Sequence, residues 1–217
     1  MAVFLLFFFH TACIFHPWSD FYIKNDQLSP LIAYIFVWTV GHWHMSLFFI
    51  LAGASTYYAL QKRSGAEYIK ERVKRLFIPL IFGTLVLIPP LSYLGLLNHS
   101  DYSQSFITWL PNFFHLQTAD LSGYFLGGLT VGHLWFILHL LVYSLIALPL
   151  FLYFNRDSGL QWIRRIASVL MKPAVLFLLF PALLVLISKF PSVLGGNPLF
   201  YITFFILGFI LMSDRRL

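Results

Sequence analysis

Apolar residues in this chain run in blocks too long and too unbroken for elements that show one face to water. A helix needs about 20 apolar residues to cross a hydrocarbon layer of ~30 Å. Blocks of that order recur at residues 1–15, 31–60, 76–97, 133–154, 173–188 and 199–213. As one helix, 31–60 would reach ~45 Å, too long for one straight span and too short for two spans and a turn. Gly41-His42-Trp43-His44 is its natural break, so 31–40 is expected as an interfacial helix and 43–60 as the crossing. The pattern thus predicts six spans, the first a few residues short. Pro79, Pro89, Pro90 and Pro149 fall inside them, which bundles tolerate where neighbours re-satisfy the freed carbonyls.

The polar segments between the blocks test that count. With a cytoplasmic N-terminus, the inner segments hold twelve basic residues against Glu67, Glu71, Asp157 and Asp214. The outer segments hold Lys24 and Lys189 against Asp20, Asp26, Asp101 and Asp120. The inner side is then +8 and the outer side −2, the asymmetry of the positive-inside rule. The predicted fold class is therefore all-α: a polytopic membrane helix bundle with six transmembrane helices and both termini cytoplasmic. The longest connection, 98–132, is external, with Trp109, Phe113, Phe114, Tyr124 and Phe125 expected at the membrane interface.

Composition narrows the class further. Of 217 residues, 59% are hydrophobic and 10% charged, with a mean hydropathy of +0.81; a soluble domain is roughly 25% charged. A water-soluble globule, a disordered chain and a disulfide scaffold are excluded, and the lipid bilayer is the first partner. The net charge of +6 would suggest nucleic acid in a soluble protein. Here it marks topology, and no nucleic-acid partner is expected. Cys13 is the single cysteine, so no internal disulfide forms. A cleaved leader ending at His10-Thr11-Ala12-Cys13 lacks the basic n-region it needs.

None of the eight histidines falls in a cytoplasmic segment. His10 is six residues before His16 on an outward helix, and His139 six after His133 on an inward one, which sets both about 9 Å below the outer boundary. Each either bonds a neighbouring helix or faces a wet cavity. Gly132, Trp135, His139 and Tyr143 share one helical face, a cavity wall or plain core. The small residues Ala52 to Thr56, Gly53 among them, suit close helix packing or backbone approach to a ligand. No metal site is expected: His42 and His44 point to different sides of a helix, and no carboxylate or second Cys accompanies a histidine within a span. Nucleophile elbows and phosphate-binding glycine loops are missing. Six basic residues lie between Lys62 and Arg75. Arg72 and Arg75, three apart on one face, could clamp phosphates or simply meet lipid headgroups.

With these residues laid out, the chain resembles the bacterial membrane acyltransferases of the acyltransferase 3 family, and within it the glucan biosynthesis protein C type. Four blocks carry the likeness in the family's order: Leu5-Leu6-Phe7-Phe8-Phe9-His10, Trp43-His44-Met45-Ser46-Leu47-Phe48-Phe49-Ile50-Leu51-Ala52-Gly53, Tyr68 through Pro79 with Arg72-Val73-Lys74-Arg75, and His133-Leu134-Trp135-Phe136-Ile137. The resemblance implies one membrane-embedded acyltransferase domain over 1–217. It would move an acyl group from cytoplasmic acyl-CoA, a co-substrate and not a resident cofactor, to a hydroxyl of an extracytoplasmic glycan or related acceptor, at the bacterial inner membrane. His10 matches the family's first-helix histidine, implied to activate the hydroxyl or handle the acyl group. Arg72 and Arg75 match its Arg-x-x-Arg motif, implied to steady the donor's phosphates. Gly53 matches the glycine of its Ser-Gly motif, with Ala52 in the serine's place. Gly53, His133, Trp135 and His139 are the candidate cavity-lining residues, and a short internal path is expected between His10 and His139 on the outer side and the arginines on the inner side. The family usually has about ten spans and an Arg that would fall two positions before Met1, so parts are expected to be missing at both ends. A secondary transporter or a non-catalytic membrane protein is the alternative, although no inverted repeat is detectable.

Overall fold

The computed structural model describes residues 2–16, 21–25, 30–115, 129–170 and 172–213. Among them every regular element is helical, apart from an isolated bridge between Val193 and Gly196. The expectations for Tyr124 and Phe125, and the charges of Asp20, Asp26, Asp120, Asp214, Arg215 and Arg216, lie outside the described residues. Two helical stretches are long and apolar enough to cross a membrane, Leu31–Lys62 and Gly65–His99. Two bent pairs raise the number to four, and α1 (Ala2–Cys13) and α12 (Pro198–Ser213) are apolar but shorter.

Helix α1 runs antiparallel to α2 (Pro30–Gly41). At one end the His16 ring lies 5.5 Å from Tyr34, and at the other Phe9 meets Gly41 and lies 4.7 Å from His44. Helix α3 (His44–Lys62) continues α2 after a turn at His42 and Trp43. The break expected at Gly41-His42-Trp43-His44 is present, and across it α2 and α3 form one 32-residue stretch, Leu31–Lys62. Ala33 and Val40 are buried, whereas Leu31, Ile32, Ile35 and Trp38 of the same segment remain exposed. The exposed Phe4, Phe7, Phe8 and Ile32 of the α1–α2 pair face outward, as a lipid-facing surface does.

Prolines are accommodated inside their own helices. Three π-turns, Val73–Phe77, Gly83–Leu87 and Val175–Leu179, each end two residues before a proline: Pro79, Pro89 and Pro181. Proline offers no N–H to the carbonyl four residues back, and its ring crowds that carbonyl. Those carbonyls belong to Arg75, Leu85 and Phe177, all within the widened turns, which relieve the crowding. The turns join α4 (Gly65–Arg72), α5 (Ile78–Phe82) and α6 (Ile88–His99) into one 35-residue stretch. At Pro149 the solution differs: α8 (Trp135–Ile146) and α9 (Leu148–Phe154) meet at a 51° bend.

Helix α7 (Phe106–Phe113) corrects an expectation. Trp109 and Phe113 are buried with Ile88, Tyr93 and Leu134 in a small satellite core, and only Phe114 of that described aromatic group is exposed. Helix α10 (Asp157–Leu170) buries Gly159, Ile163 and Ala167 and meets the Val175–Ser188 segment, which ends in α11 (Phe180–Ser188), at 83°. The basic segments collect at one end of the bundle, where Gln61 bonds Asn155 at 3.3 Å and Gly65 lies beside Leu152. At the far end the Lys24 N–H bonds Asn98 at 2.9 Å and His99 donates to the Phe21 carbonyl at 2.6 Å.

The closest helix contact is between α3 and α12. A Cβ on Gly53 would run into the Phe205 carbonyl oxygen, and one on Gly208 into the Ile50 carbonyl oxygen. Each glycine lets the other helix's backbone approach, which in lipid is a main source of association energy. Around the crossing Phe49, Tyr143, Phe151, Phe205 and Phe209 are buried, with Phe151 and Phe209 stacked at 4.0 Å. Gly53→Ala or Gly208→Ala should each destabilise the fold by about 1–3 kcal/mol, the usual cost of overpacking. Thermal unfolding in detergent measures it, with exposed Leu51→Ala expected to stay near wild type.

Candidate functional site

Three histidines from distant parts of the chain meet at the far end of the bundle. A cavity of about 520 Å³ is lined by Phe9 and His10 of α1, by Gly41, His44, Met45 and Phe48 at the α2–α3 junction, by His133, Trp135 and Phe136, and by Tyr201 of α12. The His10 and His133 rings are 4.7 Å apart at 57°. Phe9 bridges the other pair, 5.6 Å from His10 and 4.7 Å from His44.

Local geometry sets how each ring is presented. His10 Nδ1 lies 2.8 Å from the Leu6 carbonyl oxygen and His44 Nδ1 2.7 Å from that of Val40, both four residues back on their own helices. A carbonyl oxygen only accepts, so Nδ1 carries the proton in both rings. In the neutral ring Nε2 is then the acceptor, and both rings stand in the cavity wall. His133 enters differently. Gly132 has φ +47, a left-handed conformation open chiefly to glycine, and a short 3₁₀ turn, Gly132–Leu134, leads into α8. Phe21 stacks on the His133 ring at 5.4 Å and Tyr22 meets its edge at 4.9 Å.

The predicted site residues do not all gather. His10, His133 and Trp135 line the cavity. His139 is buried in the core beside it, bonded to the Trp135 carbonyl at 2.8 Å and edge-on to Trp135 and Tyr143. The expected match in depth between His10 and His139 is replaced by one between His10 and His133, because the 3₁₀ entry brings His133 to the level of α1. Gly53 is spent on the α12 contact. His44 and Tyr201 belong to the cavity wall without having been singled out. His44 carried a faint signal as part of a break in an apolar block, whereas Tyr201 carried none.

The basic end holds a second recess. Ser64 caps α4: its hydroxyl accepts from the Glu67 N–H at 3.3 Å, and Glu67 accepts from the Ser64 N–H at 2.8 Å. This box starts a helix whose outer surface, with the end of α3, forms a groove of about 580 Å³ lined by Lys62, Arg63, Glu67, Lys70, Glu71, Lys74 and Arg75. Arg72 is turned away from it. Its Nη2 donates to Thr56 Oγ1 at 3.0 Å and its guanidinium sits 5.0 Å over the Tyr68 ring. A hydrogen bond from a charged donor contributes about 1.5–3 kcal/mol. Residues three apart sit about 60° apart on an α-helix, but the π-turn beginning at Val73 opens that angle. Arg72 and Arg75 therefore do not share the single face that their spacing predicts. Phe49, Tyr143 and Phe205 are buried in the core between the two recesses.

Apolar helices enclosing a histidine-lined cavity at one end, with a cationic groove at the other, define a polytopic α-helical membrane protein with two separate polar sites. The acyltransferase 3 family model, an acyltransferase domain, matches residues 1–217, and the chain belongs to that family. It is a membrane acyltransferase. No curated protein and no solved structure gives a significant match.

The geometry of the cavity wall is open to chemical mapping. In a Cys13→Ser background, His10→Cys and His133→Cys should react with a small water-soluble thiosulfonate reagent within minutes. His139→Cys should stay unmodified until the protein is denatured, as read by intact mass.

Proposed function

We propose that the protein is an O-acyltransferase of the bacterial inner membrane, moving an acyl group from cytoplasmic acyl-CoA to a hydroxyl of an extracytoplasmic glycan or similar acceptor. Its topology in this reading has six spans and cytoplasmic termini. The spans are α1, α3 with the inner part of α2, 76–97, α8 with α9, 173–188 and α12. The observation that carries the proposal is the His10 ring, with Nδ1 tied to Leu6 and its other nitrogen available in a cavity shared with His133 and His44.

In the proposed reaction His10 Nε2 takes the proton of the acceptor hydroxyl as its oxygen attacks the thioester carbonyl. The carbon–sulfur bond breaks, and the thiolate receives a proton from His10, which restores the neutral ring. His133 and His44 stand close enough to help orient the acceptor and stabilise charge on His10. The donor's phosphates bind at the basic groove, where Arg75 lies, so a long arm must carry the acyl group to the cavity. From His44 to Lys62 at the groove α3 advances eighteen positions, or about 27 Å, the length such an arm has to bridge. Phe49 and Tyr143 have to change rotamer to admit it.

The test uses membranes carrying the full chain, with labelled acyl-CoA and a glycan acceptor. His10→Ala should lower transfer by about 10²- to 10⁴-fold, the range for removing a general base, and Cys13→Ala should leave it near wild type. Unchanged transfer by the His10→Ala variant would remove His10 from the mechanism.

A further inference from the structure

The Thr56 hydroxyl on α3 has its bonding capacity fully used. Its proton goes to the Ala52 carbonyl at 2.9 Å. The Tyr68 hydroxyl, 3.1 Å away, must therefore donate to it, as does Arg72 at 3.0 Å. One donor and two lone pairs are all a hydroxyl has. Thr56 and Tyr68 are both almost wholly buried, and the Arg72 guanidinium lies over the Tyr68 ring. This cluster joins α4 to α3 and is absent from the lining of the basic groove.

The groove has its own organised cations. Glu71 Oε2 accepts from Arg63 Nη1 at 2.7 Å, and its Oε1 accepts from Arg75 Nη2 at 2.8 Å. The two arginine side chains are 43% and 73% exposed, against 23% for Glu71. A guanidinium has five N–H donors in a planar fork, so bonding to Glu71 leaves each with donors for an oxyanion. One carboxylate thus holds two guanidinium groups side by side, and Lys62, Lys70 and Lys74 surround them. Five cations against Glu67 and Glu71 leave an excess of positive charge that suits a ligand with more than one phosphate.

We infer that the donor's phosphates are held by Arg63 and Arg75, paired through Glu71, and that Arg72 is a positioning residue that ties the groove's helix to α3. The inference rests on the acyl-CoA reading above and reassigns one of its contacts. Arg63 lies outside the Arg-x-x-Arg spacing and comes into the site only because α3 ends beside the first turns of α4.

Coenzyme A is the probe, titrated by calorimetry into the full-length protein in nanodiscs over a series of salt concentrations. Arg63→Gln and Arg75→Gln should each weaken binding by about tenfold, the scale of one charge-assisted contact. Each should also flatten the salt dependence, because one fewer cation meets the ligand. Arg72→Gln and Thr56→Val should behave as a pair: both lower the melting temperature and weaken binding, with the wild-type salt dependence retained. Thr56→Ser, which keeps the hydroxyl, should restore both. If Arg72→Gln does not fold, the Thr56 pair and Arg63→Gln still decide. Wild-type affinity in Arg63→Gln would overturn the assignment. So would a flattened salt dependence in Arg72→Gln with Thr56→Val silent, since Arg72 would then meet the phosphates itself. Wild-type protein that does not bind coenzyme A would remove the donor reading and this assignment together.

Discussion

Gly53 and Gly208 let α3 and α12 approach until the backbone of each helix touches the other. Surrounded by lipid tails as apolar as its own side chains, a helix gains little from hydrophobic burial and depends on close packing and hydrogen bonds. Much of the structure is arranged around this crossing. It brings Phe205 and Phe209 onto Phe151, Tyr143 and Tyr57 and sets Tyr201 against Phe49 and Trp135. Helix α3 then carries polar groups of both sites: His44 at its first residue and Thr56 three turns further on. A shift in the α3–α12 contact would move both.

The polar chemistry is divided between two ends separated by an aromatic core. At one end, histidines accumulate with no carboxylate among the described residues that line the cavity. His10 and His44 are oriented by their own helices, through the carbonyl four residues back. That is an inexpensive way to fix a tautomer, since it needs no partner from another helix. At the other end cations dominate, and carboxylates organise them: Glu67 completes the cap that begins α4, and Glu71 holds Arg63 and Arg75. The aromatic core between the ends separates the two sites and stands in the way of any donor arm that joins them.

Much of this was legible in the residues. The apolar blocks outline the helices, and the small residues around Gly53 mark a close packing site. The four stretches around His10, His44, Arg72 and His133 carry the family, which the match over residues 1–217 shows. Other features were not legible for identifiable reasons. The run 31–60 is longer than one span, and its length alone does not say whether the part before the break at 41–44 lies at the interface or runs in line with α3, as it does here. Trp109 and Phe113 have the composition of an interface belt, yet Ile88 and Tyr93 offered them a core. The spacing of Arg72 and Arg75 implies a shared face only on an uninterrupted α-helix, and the proline at 79 imposes a π-turn where that spacing is measured.

The sequence by itself determined that this chain lives in a membrane, that its basic residues are segregated from its histidines, and which family it belongs to. These follow from properties summed along the chain: block length, charge order and motif spacing. Tertiary structure decided which polar residues act together. His10 is joined by His133 and His44, and Arg75 by Arg63, across sequence separations that no local pattern encodes. The reason is physical. A helix fixes the direction of its own side chains, but which directions converge depends on the contacts between helices, and those are set by the glycine crossing and by π-turns upstream of prolines.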